Sequence, residues 1–173
     1  GFSSFFLNRT NRSGIILKAG VIGGLEQNGN YKLDCRFNKE GLIEKIKRIK
    51  KYGHRIHFYN LDAIEFLEQT DNILPPNTIY CVDPPYFSKG SSLYTNFYEP
   101  EDHKQVAQAL LEIDRPWLLT YDNSPAIQSL YEGKRQFRFH LNYSASHKRI
   151  GTELMILSDH LQIPSEVNLI SAA

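Results

Sequence analysis

The chain has 173 residues, 41% of them hydrophobic, 12% aromatic and 23% charged. That is enough apolar material for one packed domain, or a domain carrying a small subdomain, and too much for global disorder. The net charge of +1 conceals a split: residues 1–60 hold twelve Lys/Arg against four acids, a balance of +8, and residues 61–173 a balance of −7. Such asymmetry suggests a basic face for a polyanion, although a solvated helix face accounts equally for Lys45, Lys47, Arg48, Lys50 and Lys51. No apolar run reaches the roughly 18 residues of a membrane span, and residues 1–6 lack the basic flank and apolar stretch of a signal peptide. Two cysteines, Cys35 and Cys81, build neither a disulfide framework nor a four-ligand zinc site, so a reducing cytoplasm is expected.

In chain order, residues 13–30 are rich in glycine and read as loop or hairpin, with turn signals at Gly23-Gly24 and Asn28-Gly29-Asn30. Residues 31–37 alternate as a short strand. Residues 40–52 read as a helix, with Leu42, Ile43, Ile46 and Ile49 on one face, Lys/Arg opposite, and Gly53 closing it. A strand is expected at 54–60, then a short helix opened by Asp62, a connector at 72–77 and a buried strand at 78–82. A polar, aromatic-rich loop is expected over 87–98. Pro100 starts a helix carrying Val106, Ala109, Leu110 and Ile113. The rest reads as a strand at 117–121, a turn at 122–125, a short helix to 131, a strand at 137–143 and its antiparallel partner at 152–157. The tail after Asp159 lacks a pattern. This alternation predicts an α/β fold: a mostly parallel sheet with an antiparallel edge hairpin.

The sharpest feature is Asp83-Pro84-Pro85-Tyr86, directly after the strand ending at Val82. Ligands of open parallel sheets bind outside the carboxyl ends of the strands, where this tetrapeptide falls. Two prolines fix two φ angles and remove two backbone donors, leaving carbonyls as acceptors at a rigid turn. A carboxylate, a prolyl carbonyl and an aromatic ring held together suit a planar amine: two acceptors take its N–H groups while the ring stacks. The plainer alternative is a Pro-Pro turn with Asp83 as a local cap.

Asp83-Pro84-Pro85-Tyr86 resembles the catalytic motif of S-adenosylmethionine-dependent amino methyltransferases, especially Dam-type DNA adenine methyltransferases. Further stretches resemble that family in its order. Residues 5–10 resemble the segment entering the target-recognition region, and residues 58–63 the strand-end acidic motif. Residues 96–103, 118–123 and 143–154 resemble the stretches that come after the catalytic loop. The resemblance covers roughly residues 2–158. It implies a class I S-adenosylmethionine-dependent, Rossmann-like methyltransferase sheet with a small target-recognition subdomain, in a cytoplasmic enzyme of bacterial or phage origin. The division would be 1–53 for target recognition and DNA binding, 54–158 for the catalytic portion and 159–173 for a tail. One departure stands out: the family's glycine-rich cofactor loop has no counterpart here. Gly20, Gly23 and Gly24 follow no predicted strand and open no helix. The sequence thus resembles the carboxyl-terminal two-thirds of such an enzyme, with the amino-terminal strands missing. An upstream half-enzyme chain carrying the loop is an expected partner.

The implied substrate is double-stranded DNA with a flipped adenine, and the implied cofactor is S-adenosylmethionine. The Asp83 side chain and the Pro84 carbonyl would accept from the amino group, Tyr86 would stack on the ring and Pro85 would hold the turn. Asp62, with Ala63, would meet the cofactor adenine, with Asp83 also at the cofactor. Asp62-x-x-Glu65 reads on spacing alone as a capping box, and the resemblance reverses that preference. Asn8, Arg9, Thr10 and Arg12, with Lys18, Arg36 and Asn38, combine donors and charge for phosphate and base-edge contacts, and solvent exposure without contact accounts for each equally. Arg149, in an expected loop at 144–151, could touch a backbone phosphate. Tyr94 and Phe97 would line the base pocket or simply anchor their loop. His103 reads as a surface or cap-adjacent residue, and no histidine shows metal-ligand spacing. Two rival readings stay open. One is methyl transfer to an RNA base or a protein amide. The other is a DNA-binding fragment without activity.

Overall fold

The computed structural model describes residues 1–17, 19–88, 97–143, 149–164 and 170–171. These form two compact units, Gly1–Tyr59 and Asn60–Ala173.

In the first unit, helix α1 (Phe2–Thr10) stands where the sequence suggested only a recognition segment. Its aromatic face explains it: Phe6 meets Phe37 edge-on at 5.3 Å between ring centroids, and Phe5 lies 6.3 Å from the same ring. The strand expected at 31–37 does not form. Instead Leu33–Arg36 is a 3₁₀ turn. The Gln27 side chain takes the Leu33 N–H at 2.8 Å and donates to the Ile22 and Gly24 carbonyls, so it occupies backbone groups that a ladder would have used. Gly23 is required in this wrap: its φ is +87° and a Cβ there would sit 2.8 Å from the Tyr31 carbonyl oxygen. Helix α2 (Lys39–Lys51) matches its expected span to within a residue, with the Asn38 side chain accepting from Gly41 N at 3.0 Å. None of its residues is buried; Ile43, Ile46 and Ile49 stay 40–59% exposed. The strand expected at 54–60 is also absent. Gly53–Arg55 is a 3₁₀ turn and the residues after it run irregularly, with Phe58 89% exposed. No described strand pairs with this stretch, and apolar alternation without a ladder partner cannot hold a strand.

The second unit runs α3 (Ala63–Asp71), β1 (Tyr80–Val82), α4 (Pro100–Glu112), β2 (Trp117–Asp122), α5 (Pro125–Leu130), β3 (Arg135–Tyr143), β4 (Arg149–Leu157) and β5 (Ile170–Ser171). The sheet order is β1-β2-β4-β3-β5. It is a mixed α/β arrangement, compatible with a Rossmann-like fold. The described sheet is mixed: β1 and β2 pair in parallel, and β4 and β5 run antiparallel to their neighbours, so less of the pairing is parallel than the sequence suggested. The expected antiparallel hairpin is formed by β3 and β4, with β4 next to β2 and only the two-residue β5 outside β3. Arg149 begins β4 rather than lying in a loop. The tail is not patternless either, since Ile170–Ser171 pairs with β3.

β2 carries the core. Trp117, Leu119 and Tyr121 alternate as buried residues, and Ile127, Tyr131, Leu154 and Ile156 close around them. Trp117 meets Tyr131 edge-on at 6.1 Å. Helix α4 covers this layer with His103, Val106, Ala107 and Leu110, a spacing of three and four that makes one helical face. Its start is fixed by Pro100 and by Asp102, whose carboxylate accepts from Glu99 N at 2.8 Å. Arg115, between α4 and β2, donates to the Asp71 carboxylate at 3.0 Å and to the Pro75 carbonyl at 2.8 Å. It thereby ties the connector that leads into β1 to the segment leading into β2.

Candidate active site

Parallel pairing of β1 and β2 places Val82 opposite Leu119. The next residues along each strand are Asp83 and Thr120, and the Thr120 Oγ1 hydroxyl donates to Asp83 Oδ1 at 2.6 Å. Asp83 is exposed, Pro84 is buried, and Pro85 and Tyr86 are half-buried. The structure therefore brings the four residues of the tetrapeptide to the carboxyl end of β1, with the carboxylate on the outside.

Two more side chains, Glu153 and Asp122, fix the far end of the turn. Tyr86 Oη donates to Glu153 Oε1 at 2.5 Å. Glu153 is 4% exposed and lies on β4 directly across from Asp122. Asp122 accepts from two successive backbone amides, Phe87 N at 2.7 Å and Ser88 N at 2.9 Å, one to each carboxylate oxygen. Charge-assisted bonds of this kind are the stronger class. Thr120, Asp122 and Glu153, from two adjacent strands, thus hold Asp83, Tyr86 and the two residues after it. Sequence reasoning gave none of the three a role. The signal available was Glu153 itself, an acid opening an otherwise apolar run through Leu157.

His103 is corrected from a surface position to a buried one, at 1% exposure. Its Nδ1 shares a 2.8 Å hydrogen bond with Tyr121 Oη. Its ring packs against Phe87 at 5.1 Å and Tyr98 at 5.4 Å. Nε2 has no partner among the described residues. Burial lowers the His103 pKa, with Asp122 and Asp102 opposing that shift. Burial likewise pushes the Tyr121 hydroxyl far above its ordinary value, so it stays a neutral phenol. Tyr98 is raised by burial first, then by the carboxylates of Asp62 and Asp102.

That last influence brings Asp62 within electrostatic reach of the cluster. Asp62 caps α3: its Oδ1 accepts from Ile64 N at 2.9 Å. The residue is exposed and Ala63 half-buried, and Asp62 Oδ2 accepts no hydrogen bond among the described residues. Phe97 is 43% exposed; Tyr94 lies outside the described residues, as does Lys18.

In the first unit, Asn8 donates to the Gly14 carbonyl at 3.1 Å and Arg9 Nε to the Arg36 carbonyl at 2.8 Å. Asn8 and Arg36 both border Gly14, so Asn8, Arg9 and Arg36 form one polar group. Arg12 is exposed nearby in the chain. Thr10 is buried at 1% with its hydroxyl spent on the Phe6 carbonyl, and the Asn38 oxygen is spent capping α2. For Arg149 the backbone in β4 is described and the side chain is not. Among the described residues, no group of three or more His, Cys, Asp or Glu side chains is placed to hold a metal ion, and no helix is long and apolar enough to cross a membrane.

Compared with known families and with curated proteins, the chain matches no family model and no curated sequence.

Proposed function

We propose that the second unit is the catalytic part of a site-specific DNA adenine-N6 methyltransferase of the class I fold, acting in the cytoplasm on an adenine flipped from duplex DNA. The observation that carries this reading is the set of acceptors at the end of β1. One Asp83 oxygen is engaged by Thr120, and the other accepts nothing among the described residues. The Pro84 carbonyl comes next, on a turn with no N–H of its own at positions 84 and 85. Two acceptors at such a turn match the two N–H groups of an exocyclic amine. Tyr86, anchored through its hydroxyl by Glu153, would supply the ring that stacks.

Asp83 and the Pro84 carbonyl accept from the amino group and hold its nitrogen lone pair toward the methyl donor. No strong base is needed first, because the amine proton becomes acidic only after transfer. Orientation and fixed electrostatics therefore supply most of the acceleration. The cofactor, S-adenosylmethionine, supplies an electrophilic methyl on a sulfonium. The residues fit its adenine end: Asp62 is exposed at the start of α3 with one carboxylate oxygen unengaged among the described residues, and Ala63 lies beside it. Among the described residues no strand runs into a glycine-rich turn and helix that would cradle the methionine end. The basic first unit, with Asn8, Arg9, Arg12 and Arg36, supplies phosphate and base-edge donors.

A second reading, a half-enzyme completed by another chain, is favoured by one observation. The outer edge of β1 has no described partner, and Ile79 and Cys81 beside it are exposed. The test is incubation with S-adenosylmethionine and duplex DNA, and then nucleoside analysis. N6-methyladenine from duplex DNA and not from RNA is the expected product. Label in RNA or protein alone overturns the DNA reading. Salt-sensitive duplex binding with no transfer and no cofactor binding favours the half-enzyme.

A further inference from the structure

We propose that Thr120 is a positioning residue for Asp83: it spends one carboxylate oxygen and so leaves the other, Oδ2, aimed as the substrate acceptor. This rests on the methyltransferase reading of the same site. Asp83 is an exposed aspartate at a strand end, and an exposed carboxylate ordinarily samples several rotamers. An amine hydrogen-bonded to a rotating acceptor is not held in line for attack, and misplacement by about 1 Å can cost on the order of a hundredfold in rate.

The hydrogen bond that stops this rotation is built into the sheet. Val82 and Leu119 are registered partners, so Asp83 and Thr120 are the next pair along and share a face. Leu119 and Tyr121 point into the core at 0% exposure, which fixes Thr120 on the opposite side of β2. Thr120 is itself registered with Met155 on β4 and follows the last β1–β2 pair directly, so its backbone is held by the sheet. β-Branching stiffens its χ1. A hydroxyl on a stiff side chain of a central strand, 2.6 Å from a charged acceptor, has the length of a charge-assisted bond. The Thr120 hydroxyl does not touch the substrate in this scheme; it acts through Asp83.

The test uses two variants of the full chain. Thr120→Val keeps the shape and the β-branch and removes the donor; Thr120→Ser keeps the donor. The first readout needs no activity: the Hα–Hβ scalar couplings of Asp83. The wild type and Thr120→Ser show one rotamer, and Thr120→Val shows averaged couplings. A single rotamer retained in Thr120→Val, or averaging already present in the wild type, overturns the proposal. The second readout is methyl transfer. Thr120→Val lowers kcat about tenfold to a hundredfold with KM for DNA and cofactor unchanged, and Thr120→Ser stays within about twofold of wild type. Equal losses in both variants overturn it. If the wild type transfers no methyl group at all, the reading of this chain as active on its own fails, and the couplings still decide whether Thr120 fixes Asp83.

Discussion

At the scale of single residues, His103 is the buried group with the clearest consequence for pH. Its neutral form is favoured in the folded chain, because burial outweighs the nearby carboxylates. The folded pKa therefore lies below that of the unfolded chain, about 6.5 for an ordinary histidine. Below that value the unfolded chain binds the proton and the folded chain resists it, so this contribution is intact above about pH 6.5 and is lost as pH falls. The urea midpoint of the wild type should drop between pH 7.5 and pH 5.5, and the drop should shrink in His103→Gln. Equal drops in both proteins would contradict the assignment. The burial of His103 was legible in principle, since it stands three, four and seven residues before Val106, Ala107 and Leu110. Its place in the first turn after Pro100 drew attention to capping instead. Thr120 was harder to see. Alternation in β2 says only that it faces away from Leu119, and the parallel register that brings Asp83 beside it is a long-range fact no local pattern carries.

Among elements, α3 links the fold to the proposed cofactor site through its cap. Asp62 caps Ile64, and the proposed contact with a cofactor adenine is a separate duty for the same carboxylate. Asp62→Ala should cost about 0.5–2 kcal/mol of stability. Asp62→Ser keeps a capping oxygen but loses the reach and the charge. It should unfold close to wild type and, in calorimetric titration, bind S-adenosylmethionine at least about tenfold more weakly. Unchanged cofactor affinity in Asp62→Ser would leave the residue a cap only. Elements with strong periodicity or clear boundary signals were legible: α2 from its 3.6-residue stripe, α4 from Pro100, β2 from its short apolar run and β3 from clean alternation. Residues 31–37 and 54–60 alternate too, yet form no strands. Alternation says that a segment could lie on a sheet, while a strand also needs a neighbour. In the first case the Gln27 side chain occupies backbone groups, and in the second no described strand lies alongside.

For the whole molecule, the charge split and the unit division nearly coincide. The basic residues concentrate before Tyr59, and the carboxylates that organise the candidate site, Asp62, Asp83, Asp122 and Glu153, all come after it. In the proposed function, affinity for a polyanion and chemistry on an amine would draw on different parts of the chain. This separation allows turnover to be tested without confusing it with binding. In the second unit, Thr120 and Asp122 of β2 and Glu153 of β4 hold one exposed carboxylate, the two backbone amides after the tetrapeptide and one anchored ring. The tetrapeptide was legible from sequence because its chemistry is local; the brace around it was not, because it is assembled from residues up to 67 positions apart. The most direct measurement is methyl transfer to duplex DNA by the wild type and by Asp83→Ala, with duplex affinity measured on the same samples. Turnover should fall at least about a hundredfold while phosphate-dominated affinity stays within about twofold. Near-normal turnover in Asp83→Ala would contradict the catalytic role of the tetrapeptide.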